Sequence, residues 1–375
     1  MTAPAVAAAS GSPARTIVIS GVNLVEGGPL TVLKDCVAAA TQALPGWRVV
    51  VLAHDTSLIA TPGVEVMAFP QAKSRWLRRL ALEWHGFRPL SRELGADLWL
   101  CMHDMTARVD ARRQAVYCHN PAPFSRATFR DALFSPTYFA FSLLYRYLYG
   151  AFIQRNYAVI VQQDWLRDCF RRLYGVRRVI VAHPREDVAQ PPARPPRTGP
   201  GKVFFFPALP RSFKNFEIIG EAVALLEQDP AWTGKVRWTL AGDENRYAAW
   251  LKRRFGHLRS IEWIGLQSRE QMQAQYAAVD CLVFPSRAET WGLPLSEGKR
   301  CGLPLIAADL PYAHETVGNC DAVAFFDPRD PADLARTMAA FENGEQPCRP
   351  VRLAPPAAPF APDWVALLRL LADGL

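Results

Sequence analysis

The sequence lacks the short motifs that identify several common classes of protein. Its eight cysteines form no Cys-x-x-Cys pair and no zinc-type spacing, which argues against a zinc site or a disulfide-stapled fold. Neither the dinucleotide fingerprint Gly-x-Gly-x-x-Gly nor a nucleoside triphosphate P-loop is present. Because most cysteines lie in apolar runs, we expect buried thiols in a reducing compartment. The cysteines are Cys36, Cys101, Cys118, Cys169, Cys281, Cys301, Cys320 and Cys348.

The chain also lacks a recognisable secretory signal and has few charges for its length. Residues 1–15 have neither a basic start nor a leucine-rich stretch, so we expect a disordered lead-in there. Only 21% of the 375 residues are charged and half are apolar, which excludes global disorder. At about 150 residues per domain, this length predicts two or three domains. The net charge of +8 favours an anionic partner, and nucleic acid, acidic lipid and nucleotide phosphate all remain open.

A proline-rich stretch at 190–200 separates two halves of similar pattern and predicts a semi-rigid linker. On both sides, short apolar or β-branched runs alternate with longer segments. The runs begin near residues 16, 47, 64, 97, 114, 157 and 178, and then near 202, 236, 260, 280 and 303. Strands buried on both faces have this pattern, and their alternation with helices indicates parallel sheets. We therefore predict an α/β protein with two doubly wound, Rossmann-like domains at 16–189 and 201–355, and an amphipathic helix within 356–375.

Local signals predict where two helices of the second half begin. Ser268 and Gln271 have the spacing of a capping box for a helix that continues to Ala278. Apolar residues at helical spacing from Phe216 place another helix start at Asn215 or its neighbour.

The segment from 280 to 318 has the strongest functional pattern. A buried strand ends at Pro285, a loop carries Glu289, and after a glycine turn a helix begins near Pro294 with Glu297 in its first turn. This order aims backbone N–H groups and the positive end of a helix at one point, which suits a phosphate. The two carboxylates would flank the ligand and accept hydrogen bonds from sugar hydroxyls. The alternative is a helix-terminal charge at Glu297 and a solvated loop residue at Glu289.

A second candidate segment precedes the helix at Asn215. Arg211 and Lys214 would converge there with the helix dipole, and preplaced cations stabilise a leaving group that gains negative charge. The alternative is a basic surface loop.

The first half offers glycines and histidines at predicted strand ends. Gly27 and Gly28 precede a helix and permit either close approach of a ligand or a simple tight turn. His103 and His119 follow two strands, where a side chain can face a ligand, although a hydrogen-bonded structural histidine is the commoner case. We do not expect Cys118 and His119 to form a nucleophile pair, because adjacent strand residues point to opposite faces.

The stretch 134–157 is crowded with aromatic residues. Pro136, Arg146 and several tyrosine hydroxyls argue against a membrane span, so we expect burial in the first domain. Contact with the membrane interface or with a lipid-linked acceptor is the alternative.

The motif Glu289-x7-Glu297 resembles the EX7E region of retaining GT-B glycosyltransferases of family 4. Gly292 lies between the two carboxylates, and Gly-Leu-Pro follows at 302–304. The resemblance extends through AGDENRYAAWL, IEWIGLQSREQMQAQYAAVD and AFFDPRDPADLARTM, and so covers the second half. HNPAPF, around His119, is similar to bacterial O-antigen and polysaccharide mannosyltransferases.

This resemblance implies roles for individual residues. Glu297 would hold the ribose hydroxyls of the donor, Glu289 a hydroxyl of the transferred sugar, and the backbone amides of Trp291, Gly292 and Leu293 the sugar and diphosphate. His119 would contact the transferred sugar, for which His103 lies one strand too early. Lys214 matches the family pattern, whereas Arg211 rests on its charge and proximity alone.

The resemblance also implies an activity. It is transfer of a sugar from a nucleotide diphosphate, with retention, without a metal and with no cofactor beyond the donor. GDP-mannose is the first expectation for the donor, ahead of UDP- or dTDP-linked sugars. The acceptor would be a glycan or lipid-linked glycan of a bacterial surface polysaccharide, and no nucleic acid would be bound. We expect a cytoplasmic protein, with peripheral contact to the inner membrane as the alternative.

The same resemblance implies an arrangement of domains. Domain 16–189 would take the acceptor, and domain 201–355 the nucleotide sugar. The last helix would cross back to the first domain, with docking on its own domain as the alternative.

The rival functions are a GT-B sugar-nucleotide epimerase or hydrolase, and a non-catalytic basic module that binds anionic lipid or nucleic acid.

Overall fold

The computed structural model describes residues 15–72, 76–125, 127–184 and 199–374. Residues 1–14 of the predicted lead-in and 190–198 of the predicted linker lie outside the described residues.

Within the described residues, eight strands form the first sheet. They are β1 (Thr16–Ser20), β2 (Arg48–Ala53), β3 (Val64–Ala68), β4 (Ala96–Cys101), β5 (Arg113–Cys118), β6 (Ala158–Val161), β7 (Val179–Ala182) and β15 (Phe360–Ala361). Their order across the sheet is β15-β7-β6-β5-β4-β1-β2-β3, and all neighbouring pairs are parallel. Both faces are buried, because Ile17 and Val18 of β1 belong to different apolar clusters.

The helices of this domain surround the sheet. They are α1 (Gly27–Ala43), α2 (Trp76–Ala81), α3 (Phe87–Glu93), α4 (Phe129–Phe134), α5 (Pro136–Gly150) and α6 (Asp164–Tyr174). A π-helical turn, Leu82–Gly86, joins α2 to α3.

In the range 199–374, seven strands form the second sheet. They are β8 (Val203–Phe206), β9 (Lys235–Trp238), β10 (Ile261–Trp263), β11 (Cys281–Phe284), β12 (Leu305–Ala308), β13 (Cys320–Phe326) and β14 (Arg349–Val351). The order is β10-β9-β8-β11-β12-β13-β14. β14 runs antiparallel to β13, and the other neighbouring pairs are parallel. The helices are α7 (Phe216–Leu226), α8 (Arg246–Phe255), α9 (Arg269–Ala278), α10 (Leu293–Arg300), α11 (Pro311–Val317) and α12 (Pro331–Glu342).

The end of the chain returns to the first domain. β15 pairs with β7, and the final helix α13 (Trp364–Asp373) packs on α1. Trp364, Leu367 and Leu371 are buried in that domain's core. Arg113 of β5 donates to the carbonyl oxygens of Leu371 and Ala372 at 2.9 and 2.6 Å. The C-terminal helix is therefore part of the first domain's packing.

The predicted fold class is confirmed. Each of the twelve apolar runs contains a strand, and the helix predicted from Ser268 begins with a capping box and ends at Ala278. The prediction missed three strands among the described residues. They are β13, where Asp321 interrupts the apolar run and is exposed, and β14 and β15, which have only three and two residues. Five of the eight cysteines are buried and three are half-buried, so burial was predicted correctly for only part of the set.

The aromatic stretch 134–157 is buried on one side only. In α5, Tyr145 and Tyr149 point into the domain, whereas Leu144 and Tyr147 are 64% and 67% exposed. The expected burial in the first domain therefore applies to one face of the helix. Among the described residues, no helix combines the length and the apolar character needed to cross a bilayer.

Candidate active site

The loops that carry the predicted residues meet at one edge of the second sheet. β8 and β11 are parallel neighbours. β8 leads to a 3-10 turn, Ser212–Lys214, and β11 leads to a loop that ends at α10. Because parallel strands end at the same edge, the two loops face one another, at the usual position of a ligand in an open α/β sheet.

Lys214 and Glu289 form an ion pair between these loops. Lys214 Nζ contacts Glu289 Oε1, and Ser286 Oγ donates to the same oxygen at 2.7 Å. The two side chains are 17% and 15% exposed, so a ligand can reach them. Within the described part of the chain, Glu289 Oε2 makes no hydrogen bond and can accept one from a hydroxyl.

Glu297 is held by a tyrosine of the neighbouring helix. Tyr276 of α9 donates to Glu297 Oε2 at 2.5 Å. Burial, together with the nearby Glu297 charge, raises the pKa of Tyr276 well above its usual value, so the phenol remains a donor. The prediction that Glu297 lies in the first turn is wrong, since α10 begins at Leu293 and Glu297 is its fifth residue. Its carboxylate therefore lies beside the helix rather than at its start.

The turn before α10 requires glycine. Gly292 has a φ of +86°, and a Cβ at this position would lie 3.2 Å from Phe284 Cε1. Trp291 is buried, its indole N–H donates to Ser296 Oγ at 2.9 Å, and its carbonyl oxygen accepts from Thr316. These contacts fix the backbone that leads into the positive end of α10.

His119 of the first domain lies beside this turn. Its carbonyl oxygen accepts from Thr290 Oγ1 at 3.2 Å, and its backbone N–H donates to Asp104 Oδ1 at 2.7 Å. The imidazole is 20% exposed. Its Nδ1 lies 3.8 Å from Asp104 Oδ1 and makes no hydrogen bond with any described residue. The first domain thus places the backbone of His119 beside the Glu289 loop, while the Nδ1 atom of its imidazole is buried near Asp104.

His103 has different surroundings. Arg79 Nη2 lies 2.9 Å from its Nδ1, and Ser20 Oγ lies 3.4 Å from its Nε2. Burial, with the Arg79 charge, lowers the pKa of His103 well below its usual value. This histidine is enclosed in the first domain and cannot reach a ligand at the Glu289 loop.

The remaining sequence candidates take no part in the contact between the Lys214 and Glu289 side chains. Arg211 is exposed, and its side chain makes no hydrogen bond or ion pair with the residues that the structure describes. Gly27 and Gly28 form the exposed first turn of α1. Burial raises the pKa of Cys118 well above its usual value, which keeps it a thiol and removes it as a nucleophile.

Sequence reasoning missed one cation between the two loops. Arg287 Nη2 donates to the Ser212 carbonyl at 3.0 Å and to Asp131 Oδ1 of the first domain at 3.1 Å. Its place two residues before Glu289 was a usable signal, whereas nothing local connects it to Asp131. Across residues 15–72, 76–125, 127–184 and 199–374, no three His, Cys, Asp or Glu side chains are grouped as metal ligands.

Comparison with known proteins supports the fold, and a protein-family match covers most of the second domain. Residues 200–342 match the family Glycosyl transferases group 1. The matched segment is less than half of the chain, and it includes Lys214, Glu289 and Glu297.

Two curated relatives are similar over short segments. The chain is 36% identical over 70 residues to O-antigen chain mannosyltransferase B from Escherichia coli, covering 19% of this chain and 18% of that protein. It is 28% identical over 129 residues to D-inositol 3-phosphate glycosyltransferase from Salinispora arenicola, covering 32% and 29%. The chain thus spans less than a third of the length of either relative.

A solved structure matches over nearly the whole chain. Sucrose-phosphate synthase from Thermosynechococcus elongatus has a TM-score of 0.65 at 15% identity, covering 96% of this chain and 94% of that one. The fold is GT-B. The chain forms two Rossmann-like domains, in agreement with the predicted fold class.

Proposed function

We propose that this chain is a retaining glycosyltransferase that moves a sugar from a nucleotide diphosphate donor to an acceptor hydroxyl. The observation that carries the proposal is the Lys214–Glu289 pair beside the N-terminus of α10, with His119 of the other domain next to it. A cation and a helix N-terminus together suit a diphosphate. The carboxylates of Glu297 and Glu289 suit the hydroxyls of the ribose and of the sugar, which lie on either side of the diphosphate.

Charge development explains how such a site would act. When the bond between sugar and phosphate breaks, the departing diphosphate gains negative charge, which Lys214 and the amide end of α10 stabilise without rearrangement. Glu297, oriented by Tyr276, accepts hydrogen bonds from ribose hydroxyls. Glu289 Oε2 accepts one from the sugar, and His119 contacts the sugar from the opposite side. These residues act by position and charge.

Retention follows if the acceptor attacks from the face that the diphosphate leaves. A phosphate oxygen of the donor then takes the acceptor proton while the new glycosidic bond forms. No protein nucleophile is needed, and the cationic groups take the place of a divalent metal.

GDP-mannose is the donor that we propose first, with UDP-linked sugars second. The support is the short similarity to O-antigen chain mannosyltransferase B. The corresponding acceptor is a glycan or lipid-linked glycan of a bacterial surface polysaccharide. The same proposal assigns the chain to glycosyltransferase family 4.

A nucleotide-sugar screen tests the proposal. Thermal-shift measurements with GDP, UDP and their sugars should show stabilisation by one base series. Donor consumption should then require an acceptor, and the product should keep the donor's anomeric configuration by NMR. Turnover of donor alone would favour the epimerase or hydrolase. Binding to oligonucleotides or vesicles with no nucleotide response would favour the non-catalytic module.

The outer face of α4 and α5 favours peripheral membrane contact as a second property. Phe129, Leu144 and Tyr147 are 84%, 64% and 67% exposed, and the Arg146 guanidinium lies over the Tyr147 ring. Apolar groups beside a cation suit an anionic lipid surface. The chain should co-sediment with phosphatidylglycerol vesicles. The double variant Leu144→Gln, Tyr147→Gln should stay in the supernatant. Equal behaviour with phosphatidylcholine alone would contradict an anionic preference.

A further inference from the structure

Asp131 is a buried carboxylate at the junction of the two domains. It lies in α4 of the first domain and is only 1% exposed. A carboxylate buried to this degree is costly unless donors surround it. Its donors come from both domains.

The two oxygens of Asp131 have separate partners. Oδ2 accepts from the backbone N–H and the hydroxyl of Thr128, both at 2.7 Å, and so completes the capping box of α4. Oδ1 accepts from Ser212 Oγ at 2.6 Å and from Arg287 Nη2 at 3.1 Å, both in the second domain. One oxygen therefore serves the helix, and the other reaches across the domain junction.

The two cross-domain partners are next to the proposed donor-binding residues. Ser212 lies two positions before Lys214, and Arg287 two positions before Glu289. Arg287 also ties the loops to each other, since its backbone N–H donates to the Phe213 carbonyl at 2.8 Å. Asp131 thus bonds to both loops that bring Lys214 and Glu289 together.

Charge makes this contact more than a packing detail. The Arg287 guanidinium is 18% exposed, and its paired oxygen belongs to Asp131. Removing that carboxylate would leave a mostly buried positive charge on the Glu289 loop without its partner. The loop would have to move or recruit another anion, and Glu289 is the acid two residues away.

We propose that Asp131 is a positioning residue, supplied by the first domain, that sets the geometry of the Lys214–Glu289 pair. The diphosphate end of the site is then complete only when the two domains are docked. The role of the Lys214–Glu289 pair in this inference rests on the proposed function. The contact of Asp131 with the two loops does not depend on it.

Three variants separate positioning from helix capping and from domain docking. Asp131→Asn keeps the shape but cannot accept from all of these donors. Thr128→Ala removes the hydroxyl bond to Oδ2 and leaves Oδ1 intact. Arg130→Gln removes a neighbouring cross-domain ion pair, with Glu217 at 3.0 Å, that touches neither loop. If Asp131→Asn fails to fold, Ser212→Ala removes one Oδ1 bond with less disturbance.

Two measurements test the proposal. Hydrogen–deuterium exchange should accelerate in the peptides around 212–216 and 286–292 for Asp131→Asn and Ser212→Ala, but not for Thr128→Ala or Arg130→Gln. In transfer assays, Asp131→Asn should lower kcat by about 100-fold, as a misplacement of about 1 Å does. Its effect should largely vanish in a Lys214→Ala background, because the two changes act on one pair.

The possible outcomes are distinguishable. Unchanged exchange in both loops, or equal losses for Asp131→Asn and Thr128→Ala, would overturn the positioning role. If the parent chain neither binds nucleotides nor transfers sugar, the proposed function fails, while the exchange data still decide whether Asp131 orders the loops.

Discussion

The carbonyl oxygen of His119 accepts a hydrogen bond from the hydroxyl of Thr290 at 3.2 Å. Through this bond, a histidine that follows a strand of the first domain lies beside the loop that carries Glu289 of the second. The candidate site is thus built from both domains. His119→Ala should lower kcat/KM for the donor sugar and leave affinity for the free nucleotide diphosphate unchanged, because in the proposed site the imidazole contacts only the sugar. Calorimetry with the nucleotide, set beside transfer rates, checks this, and equal losses in both would contradict it.

Lys214→Ala should lower turnover by roughly 100- to 1000-fold, the usual loss for one preorganised charge contact. The melting temperature should also fall, since the mostly buried Glu289 carboxylate loses its charged partner, so turnover is compared at a temperature where the variant is folded. Lys235→Ala is the matched control, because Lys235 is the first residue of β9 and its Nζ donates to the Arg259 carbonyl at 3.0 Å. A Lys214 variant that turns over like the control would remove this residue from the mechanism.

Glu297→Ala should weaken nucleotide binding more than Tyr276→Phe does. The tyrosine acts through Glu297, and loss of a hydrogen bond to a charged group typically costs about 1.5–3 kcal/mol. Isothermal titration with GDP and UDP measures both changes. Parental affinity in Glu297→Ala would show that the ribose lies elsewhere.

Glu289→Ala should chiefly reduce transfer, because in the proposed site its carboxylate contacts the sugar and the lysine rather than the nucleoside. Glu289→Gln keeps an acceptor oxygen but removes the charge that pairs with Lys214. We expect intermediate turnover for this variant, measured at saturating donor. If both variants lose nucleotide affinity without loss of kcat, Glu289 binds the wrong part of the donor for this account.

Glu83 gives a pH-dependent prediction about stability. Burial raises the pKa of Glu83 from 4.5 to about 7, with Arg79 acting in the opposite direction. Between these values the folded chain binds more protons than the unfolded chain, so this group's contribution to the free energy of unfolding falls as pH rises through the window. Glu83→Gln cannot titrate. Its melting temperature relative to the parent should therefore rise from pH 4.5 to pH 7, whereas a constant difference would contradict the assignment.

The sequence predicted most of the strands because strands buried on both faces are continuous apolar runs. It placed Lys214 and Glu289 after strands of the second sheet for a related reason, since a strand, a turn and a helix start follow each other within a few residues. It misplaced Glu297, which is the fifth residue of α10 rather than part of its first turn. β13 was missed because Asp321 breaks its apolar pattern.

Contacts across the domain junction could not be predicted in the same way. Asp131 meets Ser212 and Arg287 across 81 and 156 residues of chain. Thr128 and Asp131 have the spacing of an N-terminal cap, which gives no sign that one oxygen leaves the helix. Such pairings depend on how two finished domains dock, and no local pattern encodes this.

A crystal structure determined from crystals of the chain soaked with GDP or UDP tests the central claim most directly. We predict the diphosphate within contact of Lys214 Nζ and the first turn of α10, with the ribose hydroxyls on Glu297. A nucleotide bound away from these three groups, in either soak, would contradict the account.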